Sequence, residues 1–180
     1  MEFYTNKILL PKNIIEDIFS NFKPETKMLV FGLGHDSKMW YGGNKNTYFI
    51  ENIKEYISLN KDIPDDNIIE HQYNNINVKK SFTLSDADIE KYIVPDKLKD
   101  LAPFDIILID GPEGWRDDKP GRLVPYYWTT QLSQPGTYIY CDDSSRALEA
   151  HCITKFFGDK EKQVFKYKAW NGGNCTKIFY

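Results

Sequence analysis

The sequence predicts an α/β fold, in which a mostly parallel sheet of about seven strands carries helices on both faces. Short apolar runs alternate with segments of helical periodicity along the 180 residues. The apolar runs are nearly continuous, which is typical of parallel strands buried on both faces. The last two runs have no helix between them, which favours an antiparallel hairpin at one edge of the sheet.

The elements of the first third follow this alternation. Isoleucines recur at a helical spacing in Pro11–Phe22, which predicts a helix. Lys27–Phe31 is an apolar run that ends at a glycine and predicts the first strand. Thr47–Ile50 predicts the second strand, and Asn52–Leu59 predicts a helix after it.

The middle of the chain is less regular. Asn67–Tyr73 and Ile76–Phe82 fit either kind of element, and at least one of them is expected to be a strand. Asp86–Ile93 is predicted as a helix, because Ser85 is a suitable N-cap and aspartates occupy the first turn.

The last part contains the clearest strand, Phe104–Ile109, which stops at Asp110-Gly111-Pro112. A helix follows at Gly121–Leu132, with Pro125 either in its first turn or breaking it. The remaining predictions are a strand, a helix and two closing strands joined by a turn at Asn171-Gly172-Gly173: Gly136–Tyr140, Ser145–Phe157, Val164–Tyr167 and Cys175–Phe179.

Composition limits the classes of function. The net charge is −3 and only three of the 23 basic residues are arginines, so no basic stripe predicts nucleic-acid binding. No apolar run is long enough to cross a membrane, and Met1–Asn6 lacks the pattern of a signal peptide. Three cysteines without CxxC spacing indicate reduced thiols. We therefore expect one cytoplasmic domain over residues 1–180, with a helical extension over 1–24.

A glycine-containing loop directly follows the first strand and reads Phe31-Gly32-Leu33-Gly34-His35-Asp36-Ser37. Such a loop lets the backbone approach a ligand, and Glu51 at the end of the second strand can accept hydrogen bonds from ribose hydroxyls. Ser37 holds the place of the third glycine of a dinucleotide motif, which favours a nucleoside ligand without a pyrophosphate. The alternative is an ordinary turn followed by a solvated carboxylate.

Three carboxylates follow the fourth and fifth major strands: Asp110, Asp142 and Asp143. If these strands are neighbours, the carboxylates meet at the edge of the same cleft. They could bind a divalent cation, or one of them could act as a general base. The alternative is a turn former at Asp110 and an N-cap region at Asp142-Asp143.

The sequence resembles the plant polysaccharide-biosynthesis methyltransferases, which include the glucuronoxylan 4-O-methyltransferases. Four segments carry the resemblance: MLVFGLGHDSKMW at 28–40, TYFIE at 47–51, FDIILIDGP at 104–112 and PGR at 120–122. Asp143 with Arg146 and Glu149 is similar, less tightly, to the family's H-D-x-D-R-x-x-E region. The family's histidine is Asp142 here, and its later aspartate is Ser145. The plant proteins also carry a Golgi membrane anchor, and no such anchor is expected for this chain.

The resemblance implies a class I, Rossmann-like methyltransferase that transfers a methyl group from S-adenosylmethionine to a sugar hydroxyl, on a saccharide, glycan or nucleotide sugar. Asp110, Asp143 and Arg122 are the candidate catalytic residues. A divalent cation (Mg, Mn or Co) at Asp110, Asp142 and Asp143 is also implied. The candidate cofactor-binding residues are Phe31, Gly32, Gly34, His35, Ser37, Glu51, Asp86 and Asp110. For Asp86, a plain helix-start acid is the alternative.

Aromatic and basic side chains are candidates for an acceptor platform, because aromatic rings present apolar faces to sugars and arginine pairs with carboxylates such as uronates. They are Trp115, Arg122, Tyr126, Tyr127 and Trp170. Core packing is the alternative for Tyr126 and Tyr127.

Two other functions remain open. The first is methyl transfer to another small molecule or to nucleic acid, although the chain lacks an NPPY-like tetrad after the fourth strand. The second is a nucleotide-binding module without catalytic activity.

Overall fold

The computed structural model describes residues 10–167 and 173–180. Within these residues a single sheet contains seven strands: β1 (Met28–Phe31), β2 (Thr47–Glu51), β3 (Ile68–Glu70), β4 (Phe104–Ile109), β5 (Ser133–Cys141), β6 (Glu161–Tyr167) and β7 (Gly173–Phe179). Their order across the sheet is β3-β2-β1-β4-β5-β7-β6. The first five strands run parallel, and β7 is antiparallel to both β5 and β6. The predicted fold and its antiparallel edge are confirmed.

The described part of the chain contains one short 3-10 helix at Asp65–Asn67 and eight α-helices: α1 (Lys12–Ser20), α2 (Ser37–Gly43), α3 (Lys54–Leu59), α4 (Val78–Ser81), α5 (Asp86–Ile89), α6 (Asp96–Leu101), α7 (Leu123–Leu132) and α8 (Ala147–Phe157). The segment Ile76–Phe82 contains a short helix rather than a strand. Ser85 caps α5 in a reciprocal capping box with Asp88. Pro125 is the third residue of α7, where its missing N–H breaks no helical hydrogen bond.

The core has one layer on each face of the sheet, and β1 shows why its sequence is apolar throughout. Leu29 and Phe31 pack into the layer that contains α7 and α8. Met28 and Val30 pack into the opposite layer, which contains α1 and α2. Successive side chains of a strand point to opposite faces, so a strand covered on both sides needs apolar residues at every position.

Helix α1 lies within the predicted N-terminal extension and is part of this core. Ile14, Ile15 and Ile18 are fully buried against the sheet. On the same helix Asp17 Oδ2 accepts hydrogen bonds from Lys177 Nζ at 2.7 Å and from the Tyr140 hydroxyl at 2.5 Å. A charged network therefore ties α1 to β5 and β7.

Lys177 lies on β7 and is only 5% exposed. Its ammonium group is 4.4 Å from the ring centre of Tyr138, and 5.3 Å from those of Tyr140 and Phe179. Cation–π contacts and the ion pair with Asp17 together compensate for the loss of water around this charge.

We expect Lys177→Met to lower the free energy of unfolding by about 2 kcal/mol, because it keeps the aliphatic stem but removes the cation that pairs with Asp17. Urea unfolding monitored by circular dichroism measures this change. Lys12→Met is the matched control, since the pair of Lys12 with Glu16 is exposed and should contribute less than about 0.5 kcal/mol. Equal effects of the two substitutions would contradict a stabilising role for the Lys177 network.

Cys141, Cys152 and Cys175 are buried and unpaired, as predicted for reduced thiols. In residues 10–167 and 173–180, the helices are all too short or too polar to cross a lipid bilayer.

Candidate active site

The carboxyl ends of four adjacent strands bring the predicted site residues to one edge of the sheet. Phe31 at the end of β1 pairs in register with Ile50 of β2 and with Ile109 of β4. Ile109 pairs in turn with Cys141 of β5. The glycine loop, Glu51, Asp110 and Asp142-Asp143 follow these residues and therefore lie at the same edge, where open α/β sheets bind their ligands.

The glycine loop passes unusually close to the turn after β4. Gly32 has a φ of +115°, a conformation that favours glycine. A Cβ atom added to Gly111 would lie 2.9 Å from the Cα of Gly32, and one added to Gly32 would lie 3.2 Å from the Gly111 nitrogen. Side chains at either position would therefore force the two loops apart.

Ser37 closes the glycine loop at the start of α2. Its Oγ accepts a hydrogen bond from the Gly34 N–H at 2.8 Å, and the residue is fully buried. The serine that replaces the third glycine of a dinucleotide motif thus holds the shape of the loop. His35 is exposed at the loop surface.

Glu51 links the end of β2 to the glycine loop. The side chain is only 5% exposed. Its Oε2 accepts a hydrogen bond from the Leu33 N–H at 2.7 Å, and its Oε1 accepts from the N–H groups of Asn52 and Ile53 at 2.7 and 2.8 Å. Burial raises the pKa of Glu51, and the three N–H donors counteract that effect by favouring the charged form.

The three predicted carboxylates do come together. One carboxylate oxygen from each of Asp110, Asp142 and Asp143 lies within 4.8 Å of the other two. Arg122 Nη2 is 3.2 Å from Asp143 Oδ2 and 3.6 Å from Asp110 Oδ1. Arg146 Nη2 is 2.8 Å from the same oxygen of Asp143. Two arginines thus compensate the charge of Asp143, whereas Asp110 and Asp142 have less compensation.

Asp142 has a strongly shifted ionisation. Burial and then the negative charge of Asp110 raise the pKa of Asp142 to about 7. A hydrogen bond from the Tyr167 hydroxyl to Asp142 Oδ1, 2.5 Å long, acts in the opposite direction. Burial is also the main cause of the raised pKa of Asp110. The positive charge of Arg122 lowers this pKa, and the negative charges of Asp36 and Asp143 raise it further.

Asp36 is a fourth carboxylate of this site, which sequence reasoning did not single out. Its Oδ2 accepts a hydrogen bond from Trp40 Nε1 at 2.8 Å. Burial and the charge of Asp142 raise the pKa of Asp36, although its hydrogen bonds lower it. One signal for this contact was available in the sequence. Asp36 and Trp40 are four residues apart at the start of a helix, a spacing that places both side chains on one helix face.

Arg122 is inside the site but is only 4% exposed. It donates hydrogen bonds to three backbone carbonyls: from Nε to Pro112 at 3.3 Å, from Nη1 to Asp142 at 2.9 Å, and from Nη2 to Asp110. These bonds join the ends of β4 and β5. Glu149 is fully buried beside Arg122, and its Oε1 lies 4.0 Å from Arg122 Nε. Its two carboxylate oxygens have no hydrogen-bond partner in the described part of the chain.

The candidates for the acceptor platform lie in different environments, and core packing is the outcome for Tyr126. Tyr126 is completely buried among core residues, and Tyr127 packs beside Phe156. Trp115 is 55% exposed in the loop after β4, with the guanidinium carbon of Arg116 4.6 Å from its ring centre. Trp170 lies outside the described residues.

Asp86 has a different environment from the other predicted cofactor contacts. It begins α5, and its exposed carboxylate forms an ion pair with Lys155 of α8 at 2.5 Å. The pair bridges two helices, which agrees with the alternative of an ordinary helix-start acid.

Comparison with solved structures defines the fold. A precorrin-6y C5,15-methyltransferase from Geobacter metallireducens superposes with a TM-score of 0.60 at 14% identity, covering 99% of this chain and 94% of that one. An O-methyltransferase from Bacillus cereus, solved in complex with SAH, gives a TM-score of 0.55 at 16% identity, covering 98% and 84%. The chain therefore has the class I methyltransferase fold.

Comparison with curated sequences gives relatives in Arabidopsis thaliana. Glucuronoxylan 4-O-methyltransferase 1 is 27% identical over 176 residues, which cover 81% of this chain and 62% of that protein. Arabinogalactan O-methyltransferase 2 is 25% identical over 180 residues, covering 82% and 62%. This chain is a relative of the plant polysaccharide methyltransferases. The resemblance predicted from the GLGHDS and IDGP segments is confirmed.

The Arabidopsis Protein IRX15-LIKE is another relative, at 26% identity over 170 residues that cover 79% of this chain and 53% of that protein. The chain spans about half to three fifths of the length of these three relatives. No family model matches it.

Proposed function

We propose that the chain is an S-adenosylmethionine-dependent O-methyltransferase that acts on a sugar hydroxyl of a saccharide, glycan or nucleotide sugar. One observation carries the proposal: on a class I methyltransferase fold, Asp110 and Asp142 lie at the same sheet edge as the glycine loop and Glu51. The relationship to the glucuronoxylan and arabinogalactan methyltransferases supports a sugar acceptor.

The residues at this edge fit the cofactor. Gly32 and Gly111 have no side chains at the point where the two loops meet. The buried carboxylate of Glu51 lies next to the glycine loop. Glu51 would accept hydrogen bonds from the ribose hydroxyls, and the loop from Phe31 to Ser37 would hold the rest of the nucleoside. S-adenosylmethionine supplies a methyl group that its sulfonium makes electrophilic.

The carboxylates would accept the proton of the acceptor hydroxyl. When a hydroxyl oxygen takes up a methyl group it must lose its hydrogen, and a nearby carboxylate is a suitable acceptor. Asp110 and Asp142 are the candidates, because arginines compensate them less than Asp143. Arg122 and Asp143 would hold the ends of β4 and β5 in place through the hydrogen bonds of Arg122.

The same cluster fits a divalent cation. Its donor set consists of three carboxylate oxygens within 4.8 Å of one another, and oxygen is the ligand that Mg²⁺ and Mn²⁺ prefer. Asp110, Asp142 and Asp143 would hold the ion, which would acidify a bound hydroxyl.

Calorimetric titration with S-adenosylmethionine and SAH tests cofactor binding. A transfer assay on oligosaccharides and nucleotide sugars with a radiolabelled methyl group tests the acceptor. Absence of micromolar binding of either ligand would contradict the methyltransferase function. Binding without transfer to any sugar, with transfer to another small molecule or to nucleic acid, would contradict the sugar acceptor. Binding without transfer to any acceptor would favour a module without catalytic activity.

We expect Asp110→Asn to lower kcat at least about 100-fold, because the amide keeps the shape but cannot accept the proton or bind a cation strongly. The Kd for S-adenosylmethionine should change little. EDTA should reduce the wild-type rate, and Mg²⁺ or Mn²⁺ should restore it. Full activity of the variant would remove Asp110 from the chemistry, and activity insensitive to EDTA would exclude the cation.

A further inference from the structure

Tyr167 reaches the acidic cluster from a distant strand. It is the last residue of β6, and β7 separates β6 from β5. Neighbouring strands lie about 4.8 Å apart, so its hydroxyl must cross nearly two strand spacings to reach the end of β5. It does so and donates a hydrogen bond to Asp142 Oδ1 at 2.5 Å.

Gly173 on β7 makes this reach possible. Tyr167 and Gly173 are partners in the β6–β7 register. A Cβ added to Gly173 would lie 2.0 Å from Cε2 of the Tyr167 ring and 2.5 Å from both Cδ2 and Cζ. The ring therefore lies directly against the backbone of Gly173, in space that a side chain would occupy in any other residue. This packing restricts the ring to the orientation that points its hydroxyl at Asp142.

This hydrogen bond is made to Oδ1 of Asp142, whose negative charge the arginines compensate less than that of Asp143. Arg122 and Arg146 both approach Asp143, whereas Arg122 binds Asp142 through its backbone carbonyl. Within the described residues, the Tyr167 hydroxyl is the hydrogen-bond donor to Oδ1 of the Asp142 side chain. Fixing Oδ1 in this way restricts the rotation of the Asp142 carboxylate beside Asp110 and Asp143.

We propose that Tyr167, held against Gly173, is a positioning residue that fixes the orientation of the Asp142 carboxylate within the acidic cluster during methyl transfer. This inference rests on the proposed function. In the transfer, the acceptor oxygen forms its bond to the methyl carbon while the carbon–sulfur bond breaks, with its electron pair remaining on sulfur, and the hydroxyl proton passes to a carboxylate of the acidic cluster. Tyr167 keeps its own proton throughout.

Two substitutions test the positioning role from independent directions. Tyr167→Phe removes only the hydroxyl, and Gly173→Ala displaces the ring while keeping the hydroxyl. We expect each to lower kcat about tenfold or more, with the Kd for S-adenosylmethionine and the KM for the acceptor within about twofold of wild type. Tyr138→Phe on β5 is the control, since the Tyr138 hydroxyl has no hydrogen bond among residues 10–167 and 173–180, and its kcat should not change.

A second readout does not depend on activity. The side-chain carboxyl carbon of Asp142, labelled with ¹³C and assigned with Asp142→Asn, should change its chemical shift in Tyr167→Phe and Gly173→Ala but not in Tyr138→Phe. An unchanged kcat in Tyr167→Phe, or a loss of thermal stability without any loss of kcat, would overturn the proposal. Complete absence of wild-type transfer would instead refute the proposed function, and the chemical shift would still decide whether Tyr167 holds Asp142.

Discussion

Replacing Glu51 with alanine should weaken the binding of S-adenosylmethionine by about 100-fold. The carboxylate accepts hydrogen bonds from the N–H of Leu33 in the glycine loop and from those of Asn52 and Ile53 directly after β2, so its loss removes both an acceptor for the ribose and a support for the loop. Losing charged hydrogen bonds worth about 3 kcal/mol corresponds to a factor of this size. Isothermal titration with S-adenosylmethionine and SAH measures the affinity directly.

Glu70 provides a matched control for Glu51. It is the register partner of Glu51 on the neighbouring strand β3, but its side chain is exposed to solvent. Glu70→Ala should therefore leave the affinity within about twofold of wild type. If Glu51→Ala bound S-adenosylmethionine as tightly as Glu70→Ala does, the cofactor would not use this edge of the sheet.

The second large effect is expected for Gly111→Ala. The added Cβ would lie 2.9 Å from the Cα of Gly32, 3.1 Å from its nitrogen and 3.2 Å from the carbonyl oxygen of Phe31. All three atoms belong to the backbone, so relief requires the glycine loop to move rather than a side chain to rotate. We expect the free energy of unfolding to fall by about 1–3 kcal/mol and the affinity for S-adenosylmethionine to fall with it.

Gly136→Ala separates steric crowding from backbone strain. Gly136 has a φ of +98°, but an added Cβ there would meet no atom within 4 Å. This variant should lose about 1 kcal/mol of stability, from backbone strain alone, and bind S-adenosylmethionine normally. Urea unfolding and calorimetry on both variants test the difference. Wild-type stability and affinity in Gly111→Ala would show that the two loops are not as closely packed as the geometry indicates.

The strands were predictable because their signal is local. Phe104–Ile109 is apolar at every position except Asp105, and Tyr48–Ile50 is an apolar run, since each strand must supply side chains to both layers of the core. The ends of these strands also located Glu51 and Asp110. The short helices α2 and α6 were not predicted. Helix α2 ends in two glycines, which are poor helix formers, and α6 has only two apolar residues from which to recognise a helical period.

The interactions of the site residues were much less predictable. Arg122 was expected to face a substrate carboxylate, whereas its guanidinium binds the backbone at the ends of β4 and β5. Asp36 and Tyr167 were not singled out. The contacts of these residues lie between segments far apart in the sequence, so neither periodicity nor a short motif reports them.

Local patterns were enough to predict the alternation of strands and helices, the position of the glycine loop, and the presence of carboxylates after particular strands, since each of these depends on neighbouring residues alone. Which of those carboxylates meet, and which positive charges lie beside each of them, depends on the folded arrangement of the strands. Asp143 lies beside two arginines, and Asp142 accepts a hydrogen bond from a tyrosine two strands away. These differences arise from strand order and burial, because the energy of a charge depends on the groups and the solvent that folding places around it.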